Sequence, residues 1–216
     1  MSTYSIAQAM ERMAAKFAER AQNPGPRQVP AEFRPGCLAE FETLGDPVLE
    51  RMRKGAELFA ADIISGTNPR WLTLWGRNGS GNGTGKTFLA RLIGRRVWGH
   101  LPGAIPAYTL RWGHLCARWQ AREDITQKLG FANDAKLLII DDAGAENQTQ
   151  PTVALLQNLL NGRLGKWTVI TSNLSPVDWG ERDMRIASRL KRDGAWVIRC
   201  ETVDYAFRKK PNHNTP

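Results

Sequence analysis

The run Gly83-Thr84-Gly85-Lys86-Thr87 brings together the residue types needed to grip a phosphate chain. Glycines let successive backbone N–H groups turn inward around an anion. The lysine that follows reaches the β- and γ-phosphates, and the threonine hydroxyl coordinates Mg²⁺. A helix starting at this point adds the partial positive charge of its N-terminus. A second group is Leu137-Leu138-Ile139-Ile140-Asp141-Asp142, an apolar run that ends in two acids. A buried parallel strand delivers a carboxylate to the C-terminal edge of its sheet in this way. Asp141 is placed to hold Mg²⁺ through its water shell, and Asp142 to polarise an attacking water. Thr171-Ser172-Asn173 then sets a polar side chain beside the acids, where Asn173 can orient water and the γ-phosphate. Last comes Arg185-Ile186-Ala187-Ser188-Arg189-Leu190, whose two arginines share one helix face. An arginine here can reach a γ-phosphate bound by a neighbouring subunit and stabilise charge in the transition state.

The glycine loop is longer than G-x-x-x-x-G-K-T. Ser80 stands where that motif has its first glycine, and Asn78-Gly79-Ser80-Gly81 is nearly repeated by Asn82-Gly83-Thr84-Gly85. With one copy removed, Gly76-Arg77-Asn78-Gly79-Thr84-Gly85-Lys86-Thr87 fits the motif, so the loop is read as lengthened with its catalytic end intact.

These groups act together only if strands and helices alternate around them. Predicted strands are Trp71–Trp75, 105–109, Leu137–Asp141, Trp167–Thr171 and Ala195–Cys200, with helices at 86–98, 111–122, 151–164 and 181–191. A further helix opens at Asp46-Pro47, an N-cap followed by proline at the first helical position, and closes at Gly66. Leu49, Met52, Ala56, Phe59, Ala60 and Ile63 form its buried face. The alternation predicts a three-layer α/β domain around a parallel sheet. Residues 1–22 read as a separate helix with Ser5 and Gln8 as a capping box and an apolar stripe of Ile6, Met10, Met13 and Phe17. Its stripe is buried either in the protein's own core or in a groove on a partner. Residues 23–37 are a Pro-rich linker, 38–207 the main domain and 208–216 a basic tail.

With 216 residues and 42% apolar composition, the chain can bury a core without a disulfide or structural metal. Cys37, Cys116 and Cys200 are widely spaced and match no zinc pattern with His100, His114 and His213, so they are read as reduced packing residues. No apolar run is long enough for a membrane span and no signal-peptide pattern opens the chain, which makes the cytoplasm the expected compartment. The net charge of +9 favours a polyanionic partner. Tyr108, Arg111, Trp112, Arg118, Trp119 and Arg122 interleave aromatic and basic side chains as a single-stranded nucleic acid surface does. Trp112 and Trp119 are equally readable as one buried stripe.

In this order, Gly-Thr-Gly-Lys-Thr, Asp141-Asp142-Ala143-Gly144-Ala145-Glu146, Thr-Ser-Asn-Leu-Ser and Arg-Ile-Ala-Ser-Arg-Leu resemble the AAA+ core of DnaC/DnaI-type helicase loaders over about residues 38–207. IstB-type transposition helper ATPases share much of the pattern. The resemblance implies a P-loop NTPase with five parallel strands in the order 5-1-4-3-2 and no C-terminal lid domain. It implies ATP and Mg²⁺ as cofactors, with Gly83, Thr84, Gly85, Lys86 and Thr87 on the nucleotide and Thr87 and Asp141 on the metal. Asp142, Asn173, Arg189 and Arg185 would be catalytic, Asn173 as sensor and Arg189 as the arginine supplied to a neighbour. Partners would be a hexameric replicative helicase gripped by residues 1–22, single-stranded DNA, and further copies of the chain joined through the ATP site. Many relatives carry glutamate where Asp142 stands; aspartate is one methylene shorter, and slower hydrolysis is expected. A P-loop small-molecule kinase is the alternative from another class, disfavoured by the arginine pair and the Thr-Ser-Asn element.

Overall fold

The computed structural model describes residues 38–77, 83–145, 149–192 and 194–204. The expected helix at 1–22, the linker at 23–37, most of the repeated loop and the basic tail lie outside the described residues.

Helix α1 (Pro47–Ser65) begins where Asp46 accepts hydrogen bonds from the N–H groups of Val48 (2.7 Å) and Leu49 (3.1 Å), and it ends at Gly66 in the left-handed conformation. Then follow β1 (Trp71–Trp75), α2 (Lys86–Val97), β2 (Ala107–Arg111) and α3 (Trp112–Gln120). After α4 (Thr126–Asp134), β3 (Leu137–Ala143), α5 (Gln150–Gly162) and β4 (Trp167–Ser172), the chain closes with α6 (Pro176–Arg182), α7 (Met184–Leu190) and β5 (Trp196–Arg199). All strand pairs are parallel, in the order β2-β3-β4-β1-β5. That is the expected 5-1-4-3-2 order seen from the other edge.

Burial explains the layers. Along β3, Leu137 and Ile139 join the core under α1 and α2, while Leu138 and Ile140 join the one under α3, α5 and α7. Side chains alternate across a pleated strand, so a strand buried on both faces must be apolar throughout. β5, at one edge, instead alternates half-buried with exposed positions.

Three expectations need correction. The second strand lies at Ala107–Arg111, two residues later than predicted. The single helix predicted at 181–191 is two helices, because Asp183 adopts an extended conformation (φ −154°, ψ 107°) and caps α7 by accepting from Arg185 N–H at 2.8 Å. Helix α4 was not anticipated: only Ala132 in it is buried and Gly130 interrupts it, so its apolar periodicity is faint.

Candidate active site

The site lies at the C-terminal ends of β1, β3 and β4. From β1 the chain turns at Gly76, whose N–H donates to the Ser172 carbonyl at 3.1 Å. It re-enters described structure at Gly83 (φ 65°) and reaches Gly85 (φ 89°), the residue before α2. Both glycines are favoured by φ, and Gly85 also by the close approach of a ring. A β-carbon on Gly83 would stand 2.1 Å from the Asp204 carboxyl, and one on Gly85 would stand 2.7 Å from the Phe41 ring. Lys86 opens α2 and is 8% exposed. Burial pulls its ammonium below the ordinary lysine range, and Cys200, Asp142 and Asp141 oppose that shift.

The acids sit on a bulge in β3, where the register with β4 shifts between Ile140 and Ala143. Asp142 takes a positive φ of 62°, a conformation that aspartate tolerates better than most residues. Its N–H donates to Thr171 Oγ1 at 2.8 Å, and Thr171 Oγ1 donates in turn to Asp141 Oδ1 at 2.9 Å. One hydroxyl from β4 therefore fixes both acids. Thr87 Oγ1 donates to the same Asp141 oxygen at 2.6 Å, which joins the phosphate loop to the acidic strand. Asn173 Nδ2 donates to Asp142 Oδ1 at 3.3 Å. Burial first, and the neighbouring Asp141 second, push the Asp142 carboxyl above the usual carboxylate range.

Gly83, Thr84, Gly85, Lys86, Thr87, Asp141, Asp142 and Asn173 thus come together as the sequence pattern requires. Arg185 and Arg189 stand apart from them. Arg185 is exposed and pairs with Asp183 at 3.4 Å, and Arg189 donates to the Arg185 carbonyl at 3.0 Å. No hydrogen bond or ion pair among the described residues links either arginine to Asp141 or Asp142. Thr171 was not singled out from sequence, although its place one register step from the acids was the available signal. Arg91 was also missed; its guanidinium lies 3.8 Å from Asp141 Oδ2.

The donor set fits Mg²⁺. Among the described residues no cluster of three or more His, Cys, Asp or Glu could hold a metal alone. One hydroxyl and one carboxylate converge instead, which suits an ion that keeps water and nucleotide oxygens as most of its ligands. Cys200 beside the loop is buried, and burial raises its thiol to about 12, so it is inert packing. Cys116 is also a buried thiol.

Away from this site, a cleft of about 250 Å³ opens beside β2, lined by Tyr108, Arg111, His114, Arg118 and Lys128. Trp112 is fully buried, and Trp119 is half-buried against the same core, so Trp112 supplies no stacking surface.

No family model matches the chain, and no curated protein matches it in sequence. Solved structures do share its fold. The crystal structure of DnaI aligns at 21% identity with a TM-score of 0.63, covering 82% of this chain and 93% of that one. The DnaC helicase loader aligns at 19% identity and 0.60, covering 76% and 96%. Replication initiator DnaA bound to AMPPCP and single-stranded DNA aligns at 16% and 0.56, covering 81% of this chain and 51% of the DnaA chain. What the chain shares with these structures is the fold, a five-stranded parallel sheet flanked by helices.

Proposed function

We propose that this protein is an ATPase that loads a replicative DNA helicase onto DNA. The observation that carries the ATPase reading is the Thr87–Asp141 hydrogen bond of 2.6 Å, which couples the phosphate loop to the acidic strand across the sheet. The loader reading rests on the fold shared with DnaI and DnaC over nearly their whole solved length.

In the proposed reaction Lys86 and the backbone of Gly83–Gly85 bind the nucleotide's phosphates. Mg²⁺, held by Thr87 and through water by Asp141, would neutralise charge on the β- and γ-phosphates. Asp142, oriented by Asn173, accepts the proton side of the attacking water. Both arginines lie on α7, where Arg185 is exposed and Arg189 half-buried, on a surface an adjacent copy can approach. In this reading Arg189 completes the neighbour's site. Single-stranded DNA is contacted at the basic cleft beside β2, where Arg111, Arg118 and Lys128 face its phosphates and Tyr108 lines the wall. Residues 1–22 grip the helicase hexamer.

Purified protein should hydrolyse ATP, faster with single-stranded DNA and a helicase hexamer present. Arg189→Ala should keep ATP binding and lose about a thousandfold of the stimulated rate. If stimulated turnover of that variant equals wild type, the arginine assignment is wrong. If neither DNA nor helicase alters turnover in the unmodified protein, the loader reading fails.

A further inference from the structure

Asp141 has its two carboxylate oxygens used differently. Oδ1 accepts from Thr87 (2.6 Å) and Thr171 (2.9 Å), whereas Oδ2 faces the Arg91 guanidinium at 3.8 Å. Arg91 lies one helical turn after Thr87 on α2, and side chains in a helix lean toward its N-terminus, so both residues reach the same acid. The two hydroxyls fix the carboxylate without neutralising it. Arg91 neutralises it without being fixed: among the described residues its Nε is buried with no hydrogen-bond partner, and its ion pair is long. A tight bidentate Arg–carboxylate pair has contacts below about 3 Å, and this one does not.

From this geometry we infer that Arg91 is a built-in counter-ion which occupies the outer oxygen of Asp141 and competes with the divalent cation for it. The inference rests on reading Thr87 and Asp141 as the metal-holding pair. Without nucleotide, Asp141 and Asp142 stand side by side, and the Arg91 cation on α2 keeps their repulsion in check. When a divalent cation arrives with the nucleotide, Arg91 has to yield or share Oδ2. It is a positioning residue acting through Asp141 and touches no reacting atom. Its presence weakens free-metal binding in the nucleotide-free site and makes metal capture depend on the phosphates.

The test measures free Mn²⁺ by electron paramagnetic resonance as it is titrated into wild type, Arg91→Met and Arg91→Lys, each with and without AMPPCP. Methionine keeps the apolar stem and removes the charge; lysine keeps the charge. Arg91→Met should bind Mn²⁺ about three- to tenfold more tightly than wild type, most visibly without nucleotide, and Arg91→Lys should stay close to wild type. A residue that merely braced α2 against β3 would give the opposite sign, weaker metal binding in Arg91→Met. Unchanged or weakened Mn²⁺ binding in Arg91→Met, with wild type binding Mn²⁺–AMPPCP normally, overturns the counter-ion role and leaves the nucleotide site standing. Failure of wild type to bind Mn²⁺–AMPPCP at all overturns the nucleotide site and the counter-ion role with it.

Discussion

The two ends of the central strands each bury a cation, and they treat it in opposite ways. At the C-terminal end Lys86 is 8% exposed and surrounded by ionisable groups (Asp141, Asp142, Glu201). At the N-terminal end Arg163 is fully buried and faces neutral carbonyls. Its guanidinium donates to the backbone oxygens of Ala132 (3.2 Å), Asn133 (3.0 Å), Ala135 (2.6 Å), Lys136 (3.4 Å) and Trp167 (2.7 Å), and its Nε donates to Thr168 Oγ1 at 3.3 Å. Several of these oxygens belong to the last turn of α4, where the helix dipole is negative. Burial still lowers its pKa to about 10, well above physiological pH. One cation is satisfied by the fold and ties α4, β3 and β4 together; the other faces carboxylates at the edge proposed to receive phosphate. A buried charge supports stability when its partners are supplied by the chain, and function when they arrive with a ligand.

The largest expected break in this contrast is Arg163→Met. It strands at least three short-range carbonyl acceptors in the core and should cost about 3 kcal/mol or more, read as a fall in the denaturation midpoint. The folded fraction should bind ATP as before. Lys86→Ala should do the reverse: about a hundredfold loss of ATP affinity by calorimetry, with an unfolding midpoint equal to or above wild type. The sign follows from its lowered pKa. The folded state binds that proton less tightly than the unfolded chain, so the charge opposes folding at neutral pH, and the penalty fades only as pH rises through the folded pKa toward 10.5.

Thr171→Val removes the hydroxyl shared by the two acids and should lower turnover about three- to tenfold with little change in ATP affinity. Equal turnover in the variant would show that β4 does not set the acids' geometry. The smallest effect is in pH dependence. The Asp142 pKa is raised, so its water-polarising carboxylate form is lost as pH falls through a value above the ordinary carboxylate range. The acid limb of the turnover profile should lie there and disappear in Asp142→Asn. For the same group the stability sign is opposite to that of a salt-bridged acid: its contribution is unfavourable above the raised pKa and vanishes below the ordinary one, so Asp142→Asn should not destabilise the fold at neutral pH.

The same contrast separates what the sequence made legible from what it did not. The glycine loop, the acidic pair and Asn173 were readable because each is a short contiguous string at the end of a strand; the strand order came from the family resemblance, since alternation of elements predicts a parallel sheet and not its order. Arg163 was not, because a basic residue at a helix C-terminus ordinarily lies in solvent; only the approach of α4 buries it. Gly162 allows that approach, since a β-carbon there would stand 2.5 Å from Asn133 Oδ1. Thr171 and Arg91 were missed for a related reason: their partners are about 30 and 50 residues away in the chain, and only the register of β3 with β4 and the tilt of α2 bring them together. The split of α6 from α7 rests on one residue's backbone, Asp183, which an apolar periodicity running through both helices conceals.

Phe41 has its ring against Gly85, and Asp204 has its carboxyl against Gly83. Thr202 ties the second of these segments to the first through Asp46, at 2.5 Å. The place where the chain enters the domain and the place where it leaves are thus laced over the phosphate loop like the two cords of a drawstring. A pull on the residues before Leu38, such as docking onto another protein would exert, reaches the loop through one short turn of 3-10 helix (Leu38–Glu40) and then Phe41. A shift of either segment therefore bears directly on the two glycines that precede Lys86.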